Sequence, residues 1–110
     1  YNACGLFNLN GSASIVGQAR VVVSNDTGLM HIAAALQRPV VSIWGNTIPA
    51  FGMYPYYGNS SSLKPAIIEN KGLGCRPCSK IGFDACPKKH FKCMREITPG
   101  EIAQQVELLW

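Results

Sequence analysis

Residues 21–44, VVVSNDTGLMHIAAALQRPVVSIW, decide how this chain folds. Val21–Val23 and Val40–Trp44 are short, apolar and rich in β-branched residues, which is typical of parallel strands buried on both faces. Pro39 ends the helix predicted between them, and apolar residues recur there at the spacing of one helical face: Leu29, Ile32, Ala33 and Leu36. Strand, helix and strand in this order predict a βαβ unit with a parallel sheet and a right-handed crossover.

The residues on either side predict a further helix and a third strand. Asn10 is the expected cap of a helix that runs through residues 12–16 and ends near Ala19-Arg20. After Trp44 comes a loop rich in Gly, Pro and Tyr, from Gly45 to about Leu63. Its aromatic stretch, residues 51–57, could line a binding cleft or pack on another domain, and residues 66–68 then predict a short strand.

The C-terminus carries a helix-start signal. Thr98-Pro99-Gly100-Glu101 is a capping box with proline at the first helical position. We therefore expect a helix over residues 98–110, with three apolar residues facing the core: Ile102, Val106 and Leu109.

Length and composition favour one folded domain. The chain has 110 residues, of which 47% are hydrophobic and 15% charged, and this balance is not that of a disordered chain. No run of about 18 apolar residues predicts a membrane-spanning helix. The N-terminus, Tyr1-Asn2-Ala3-Cys4-Gly5, has neither an initiator Met nor the layout of a signal peptide, so we expect a fragment of a longer chain.

The net charge is +4. Ordinary solubility explains such a charge, and attraction to anionic substrates or to an anionic membrane surface is the sharper interpretation. Aromatic residues do not alternate with the basic ones, so nucleic acid is not an expected partner.

The turn from Ser24 to Gly28 is the strongest candidate binding site. A helix N-terminus presents unpaired N–H groups and the positive end of the macrodipole, and Gly28 lets a ligand approach that backbone closely. With the Thr27 hydroxyl, these features predict a cradle for phosphate or pyrophosphate. Asp26 would repel a phosphate, so it is a helix cap, an acceptor for sugar hydroxyls or a residue that organises the turn. His31, one turn further on, is either a packing residue or a ligand contact.

Five cysteines are present, and four lie close together: Cys75, Cys78, Cys86 and Cys93. Cys75-x-x-Cys78 has the spacing of half a zinc site, whereas Cys86 and Cys93 are separated by six residues, with His90 as a substitute ligand. Free thiols, a structural zinc and disulfides all stay open, and each would tie down a long loop. No general base adjoins these cysteines in the sequence, so a nucleophilic cysteine is not expected.

Residues 25–36, NDTGLMHIAAAL, and residues 38–49, RPVVSIWGNTIP, resemble glycosyltransferase family 9, the ADP-heptose:lipopolysaccharide heptosyltransferases. The cysteine segment and the closing helix after Ile97 are similar to a pattern found late in many members. The resemblance implies a GT-B architecture of two Rossmann-like, three-layer domains with parallel sheets. Residues 1–110 would be part of the C-terminal domain, which binds the nucleotide sugar, with a cysteine-rich loop at residues 75–93.

The resemblance also implies an activity and its site. It implies inverting transfer of a heptose-type sugar from a nucleoside diphosphate, such as ADP-heptose, onto a lipopolysaccharide-core acceptor, with no cofactor required. Such an enzyme works in the cytoplasm, at the cytoplasmic face of the inner membrane. The resemblance places the catalytic base in the N-terminal domain and a donor-phosphate lysine earlier in the C-terminal domain. Neither stretch is in this chain, so this fragment is expected to be inactive alone. Donor contacts carry over onto six residues, Leu29 through its backbone amide: Asp26, Thr27, Gly28, Leu29, His31 and Thr47.

A second hypothesis belongs to a different class. The chain could be a non-catalytic binding module on an α/β scaffold, stabilised by a metal at the four cysteines. Metal content and unfolding by a chelator would favour that module, whereas protection of the amides of residues 26–31 by donor nucleotide would favour the transferase. A sugar-nucleotide epimerase of similar shape needs its own acid and base, and no matching motif is present.

Overall fold

The computed structural model describes all 110 residues, which form an α/β fold around one three-stranded parallel sheet. Strand β2 lies in the middle, between β1 and β3, with Val22 opposite Val40 and Val41 opposite Ala66. The predicted βαβ unit and parallel sheet are confirmed. In chain order the elements are α1 (Leu9–Gln18), β1 (Val22–Asn25), α2 (Gly28–Ala35), β2 (Val40–Trp44), a 3-10 turn (Pro49–Phe51), β3 (Ala66–Glu69), α3 (Lys92–Arg95) and α4 (Pro99–Leu109).

The core lies where α2 packs on β2. All five residues of β2 are buried, and Val40 and Trp44 contact the buried residues of α2 in one cluster. Val41 and Ile43 point to the opposite face of the sheet by the alternation of a strand, so both faces of β2 are covered. The Trp44 indole Nε1–H donates to the buried Ser42 Oγ at 3.0 Å, which satisfies both polar groups.

The face of α2 that packs against the sheet differs from the prediction. Met30, Ala33 and Ala34 are buried, whereas Leu29 and Leu36 are about two-fifths exposed. The helix is apolar nearly all round, so two neighbouring sets of residues satisfy the same helical spacing. The set with two alanines faces the sheet, because small side chains let the helix approach the strands closely.

The first strand also differs from the expectation of burial on both faces. Strand β1 covers Val22–Asn25 rather than residues 21–23, and Val23 is 46% exposed. Val23 is exposed because β1 lies at the edge of the sheet, and the face to which Val23 points is only partly covered. The third predicted strand is confirmed and extends to Glu69.

The helix ends show one correction and one confirmation. Asn8, not Asn10, caps α1, and its side-chain oxygen accepts a hydrogen bond from the Gly11 amide at 2.9 Å. The capping box of α4 is confirmed, since the Thr98 and Glu101 side chains each accept from the other residue's backbone amide. The three apolar residues expected to face the core are half-buried: Ile102, Val106 and Leu109.

The long loop after β2 is not wholly at the surface. Pro55 and Tyr57 are buried, and the Tyr57 hydroxyl donates to the Arg38 carbonyl at 3.0 Å. Burial raises the pKa of Tyr57 above its ordinary value, so the ring acts as a packing residue with a satisfied hydroxyl. Among the helices, none has the length and apolarity needed to cross a membrane.

Candidate functional site

The first turn of α2, at the carboxyl end of β1, is open to a ligand. Thr27 is the N-cap residue, but its side chain makes no capping hydrogen bond. The amides of Gly28 and Leu29 donate to no acceptor within the chain, and a Cβ built on Gly28 would have no neighbour within 4 Å. The expectation that Asp26 could cap this helix is therefore wrong, and the free amides remain available to an anion.

A cavity of about 360 Å³, here called the α2 cavity, lies in front of this turn. It brings together four of the six predicted donor contacts with side chains from two loops. Phe51 and Met53 come from the aromatic loop, which in this part lines the cleft. The lining residues are Asp26, Thr27, Gly28, His31, Phe51, Met53, Lys80 and Ile81.

Asp26 and Thr47 meet at the edge of the sheet because β1 and β2 are parallel neighbours and end side by side. The buried Thr47 hydroxyl donates to Asp26 Oδ2 at 3.2 Å. Both residues also line a second cavity of about 250 Å³, here called the sheet-edge cavity. Asp26 is therefore shared by the two cavities, and Thr47 orients its carboxylate.

Leu29 is the one predicted donor residue that lines neither cavity. Its role through the backbone amide stays a prediction, and the amide itself is unpaired. His31 is exposed and lines the α2 cavity, so it is not a core packing residue.

The cysteine-rich loop is anchored to the segment that follows β2 by Arg76. The Arg76 side chain is 4% exposed, and its guanidinium donates to the carbonyls of Gly45, Asn70 and Thr47. It also pairs with Glu69 Oε2 at 3.1 Å. One side chain thus joins the start of the loop to the strand end that carries Thr47.

The four clustered cysteines are free thiols in this structure. Cys75 Sγ lies 3.8 Å from His90 Nε2, and Cys78 Sγ donates to the Cys75 carbonyl at 3.6 Å. No group of three or more His, Cys, Asp or Glu side chains is placed to hold a metal ion. The arrangement therefore does not fit a zinc ion as it stands, and the structural zinc site stays a prediction.

The pKa values of two of these thiols, Cys86 and Cys93, are shifted in opposite directions. The Phe91 amide donates to Cys86 Sγ at 3.4 Å and lowers the pKa of that thiol. Burial raises the pKa of Cys93, and the neighbouring Cys78 sulfur adds to the rise. We therefore expect Cys86 to carry the larger thiolate fraction of the two and to react first.

Sequence reasoning missed Arg76 and Lys80 as parts of the site. Arg76 was visible only as one of the two residues between Cys75 and Cys78, and Lys80 only as one of several basic residues nearby. Neither lies near Gly28 in the sequence, and only the fold of the loop brings Lys80 to the α2 cavity.

The fold and these cavities define an α/β domain with an accessible helix N-terminus at the carboxyl edge of a parallel sheet, which is where open α/β sheets bind ligands. The model of glycosyltransferase family 9 (heptosyltransferase) matches residues 1–82. The chain belongs to this family.

Named relatives agree with the family. The chain is similar to lipooligosaccharide heptosyltransferase 2 of Haemophilus ducreyi, with 44% identity over 110 residues, 98% of this chain and 29% of that protein. It is also similar to lipopolysaccharide heptosyltransferase 1 of Pseudomonas aeruginosa, with 30% identity over 113 residues, 93% of this chain and 30% of that protein. The chain thus spans less than a third of the length of these relatives. No solved structure matches it.

Proposed function

We propose that this chain supplies the donor side of the active site in a glycosyltransferase. The complete protein would move a heptose-type sugar from a nucleoside diphosphate to a lipopolysaccharide-core acceptor. The observation that carries the proposal is the open turn at Gly28, which lines the α2 cavity and whose amide, like that of Leu29, is unpaired. Family membership and the activities for which the relatives are named support the type of reaction.

The geometry suggests how this side would work. A base from the other half of the protein takes the proton of an acceptor hydroxyl, whose oxygen then bonds to the anomeric carbon. The bond from that carbon to the diphosphate oxygen breaks, and the electron pair leaves with the diphosphate. The unpaired amides of Gly28 and Leu29 would stabilise this growing negative charge through preorganised dipoles. The Thr27 hydroxyl lies 3.1 Å from Ser24 Oγ, which itself donates to the Asn25 carbonyl, so Thr27 donates to Ser24 here and would have to turn to bind the diphosphate.

Asp26 would serve the sugar rather than the phosphate. Its carboxylate is held by Thr47 and lines both cavities, so it can accept hydrogen bonds from sugar hydroxyls. One preorganised donor lowers a barrier by about 3 kcal/mol, which is far less than an enzyme requires. The proposal therefore needs the second half of the protein, which would provide the base and the acceptor site.

Gly28→Ala in the full-length protein tests the proposal. The added methyl meets no atom of the chain, and the backbone of Gly28 is not in the left-handed region, so the fold should keep its stability or gain a few tenths of a kcal/mol. The methyl would, however, occupy the space through which a diphosphate reaches the amides. We expect the Kd for ADP, measured by calorimetry, to rise about tenfold or more, a loss of about 1.4 kcal/mol.

Gly74→Ala is the matched control, because a Cβ there also meets nothing within 4 Å and Gly74 lines neither cavity. It should leave ADP binding unchanged. Equal ADP affinity in the two variants, or no ADP binding by the unaltered protein, would refute the donor site at this turn.

A further inference from the structure

Lys80 is the one lysine or arginine among the residues that line the α2 cavity. It belongs to the cysteine-rich loop, which is far from the Gly28 turn in the sequence, and it lines the same cavity as that turn. We propose that Lys80 is a donor-binding residue whose ammonium group pairs with the diphosphate of the nucleotide sugar at the open amides of α2. The inference rests on the proposed function and adds a residue to it.

The charges of the cavity support this role. Asp26 and Lys80 carry the two formal charges that face it, with His31 as the other titratable group. Among the residues of this chain that line the cavity, Lys80 is the cation that can offset the carboxylate of Asp26 when a diphosphate enters. With Lys80, the two charges cancel, and the unpaired amides and the helix dipole then favour the anion.

Lys80 is also free to bind a ligand. It forms no ion pair and no hydrogen bond within the chain, since the three ion pairs use Lys71, Arg76 and Lys92. Its ammonium lies beyond ion-pair distance of Asp26, whose carboxylate already accepts from Thr47. A diphosphate therefore would not have to break an existing contact of Lys80.

The loop is tied down on both sides of Lys80. Before it, the Cys78 amide donates to the Asn46 carbonyl at 2.9 Å. After it, the Asn46 side-chain amide donates to the Phe83 carbonyl at 2.8 Å. Gly82 has φ of +84°, and a Cβ there would lie 2.7 Å from Asn46 Oδ1, so only glycine allows this close approach. The turn that carries Lys80 is thus held against the strand end beside the donor site.

The test compares Lys80→Met with Lys80→Arg in the full-length protein, using ADP and AMP as calorimetric probes. Methionine keeps the aliphatic stem and removes the charge, so the Kd for ADP should rise about tenfold, while the Kd for AMP, which lacks the second phosphate, should change about twofold or less. Arginine should restore most of the ADP affinity. If Lys80 had only a structural role, its loss would change the Kd values for ADP and AMP alike, and the preference for ADP over AMP would stay the same.

Lys88→Met is the control, because Lys88 is a lysine of the same loop that lines neither cavity, and it should bind both nucleotides like the unaltered protein. Equal ADP affinity in K80M and K88M, or an equal loss for ADP and AMP, would overturn the role of Lys80. Those results would not contradict the proposed function if G28A still showed a raised Kd for ADP. If K80M had a lowered melting temperature, Lys80→Gln would replace it. The ratio of the Kd values for ADP and AMP in K80R and in Lys80→Gln would then test the role of Lys80. Absence of ADP binding in the unaltered protein would instead refute the proposed function.

Discussion

Arg76→Met should be the most damaging single change in the cysteine-rich loop. The substitution leaves the carbonyls of Gly45, Asn70 and Thr47 without their donor and leaves Glu69, 12% exposed, without its main partner. Removing one member of a buried ion pair costs about 3–5 kcal/mol. Lys71 lies 3.7 Å from the other Glu69 oxygen and still offsets part of the charge, so we expect about 3 kcal/mol, at the low end of this range.

Urea unfolding followed by the fluorescence of the buried Trp44 measures this loss. Arg95→Met is the control, because Arg95 is exposed and forms no ion pair, and its cost should stay within about 0.5 kcal/mol. Arg76→Lys keeps the charge but cannot form the forked set of bonds, so it should recover less than half of the loss. Glu69→Gln combined with Arg76→Met should cost less than the sum of the two. A cost below about 1 kcal/mol for R76M, or strict additivity with E69Q, would show that the guanidinium does not anchor the loop.

Two further predictions concern the capping box and the thiols. Thr98→Ala should cost about 1 kcal/mol in urea unfolding, because it removes the acceptor for the Glu101 amide, and Thr98→Ser should not. The Thr98 amide and hydroxyl hold the pKa of Glu101 below its ordinary value of 4.5, so this stabilisation is present above that pH and is lost as the pH falls through the lowered value. Glu101→Gln should therefore flatten the stability profile in that acid range, and an unchanged profile would contradict the capping role. At pH 8, iodoacetamide should modify Cys86 before Cys93, as read by peptide mass spectrometry with the exposed Cys4 as reference. Joint protection of all four clustered thiols that EDTA removes would instead support the structural zinc site.

The central part of the fold could be predicted because its signals are local. Two strands flank a helix that ends at Ala35, a few residues before Pro39, and the capping box at Thr98 starts the last helix. The buried face of α2 could not be predicted, because a helix that is apolar nearly all round has no single preferred face until the sheet is in place. The exposure of Val23 likewise depends on which strand lies at the edge.

Part of the candidate site could likewise be predicted from local sequence, and part of it could not. Asp26, Thr27, Gly28 and His31 lie in one short stretch, so the motif could place them together. Thr47 was expected only from the family resemblance, and the structure brings it to Asp26 because the two parallel strands end side by side. Arg76 and Lys80 could not be found, since their partners are far away in sequence, 31 residues for the bond from Arg76 to Gly45.

These distant contacts connect the cysteine-rich loop to Asp26, next to the turn at Gly28. Arg76 holds the Thr47 carbonyl while the Thr47 hydroxyl holds Asp26, so a single residue of the strand end connects the loop anchor to the carboxylate in the site. Lys80 follows Arg76 in the same loop and lines the cavity, so we expect a displaced loop to move Lys80 and to loosen Asp26 together. Loss of Arg76 should for this reason weaken ADP binding even under conditions in which the sheet remains folded, whereas loss of Lys80 should weaken binding with the stability unchanged.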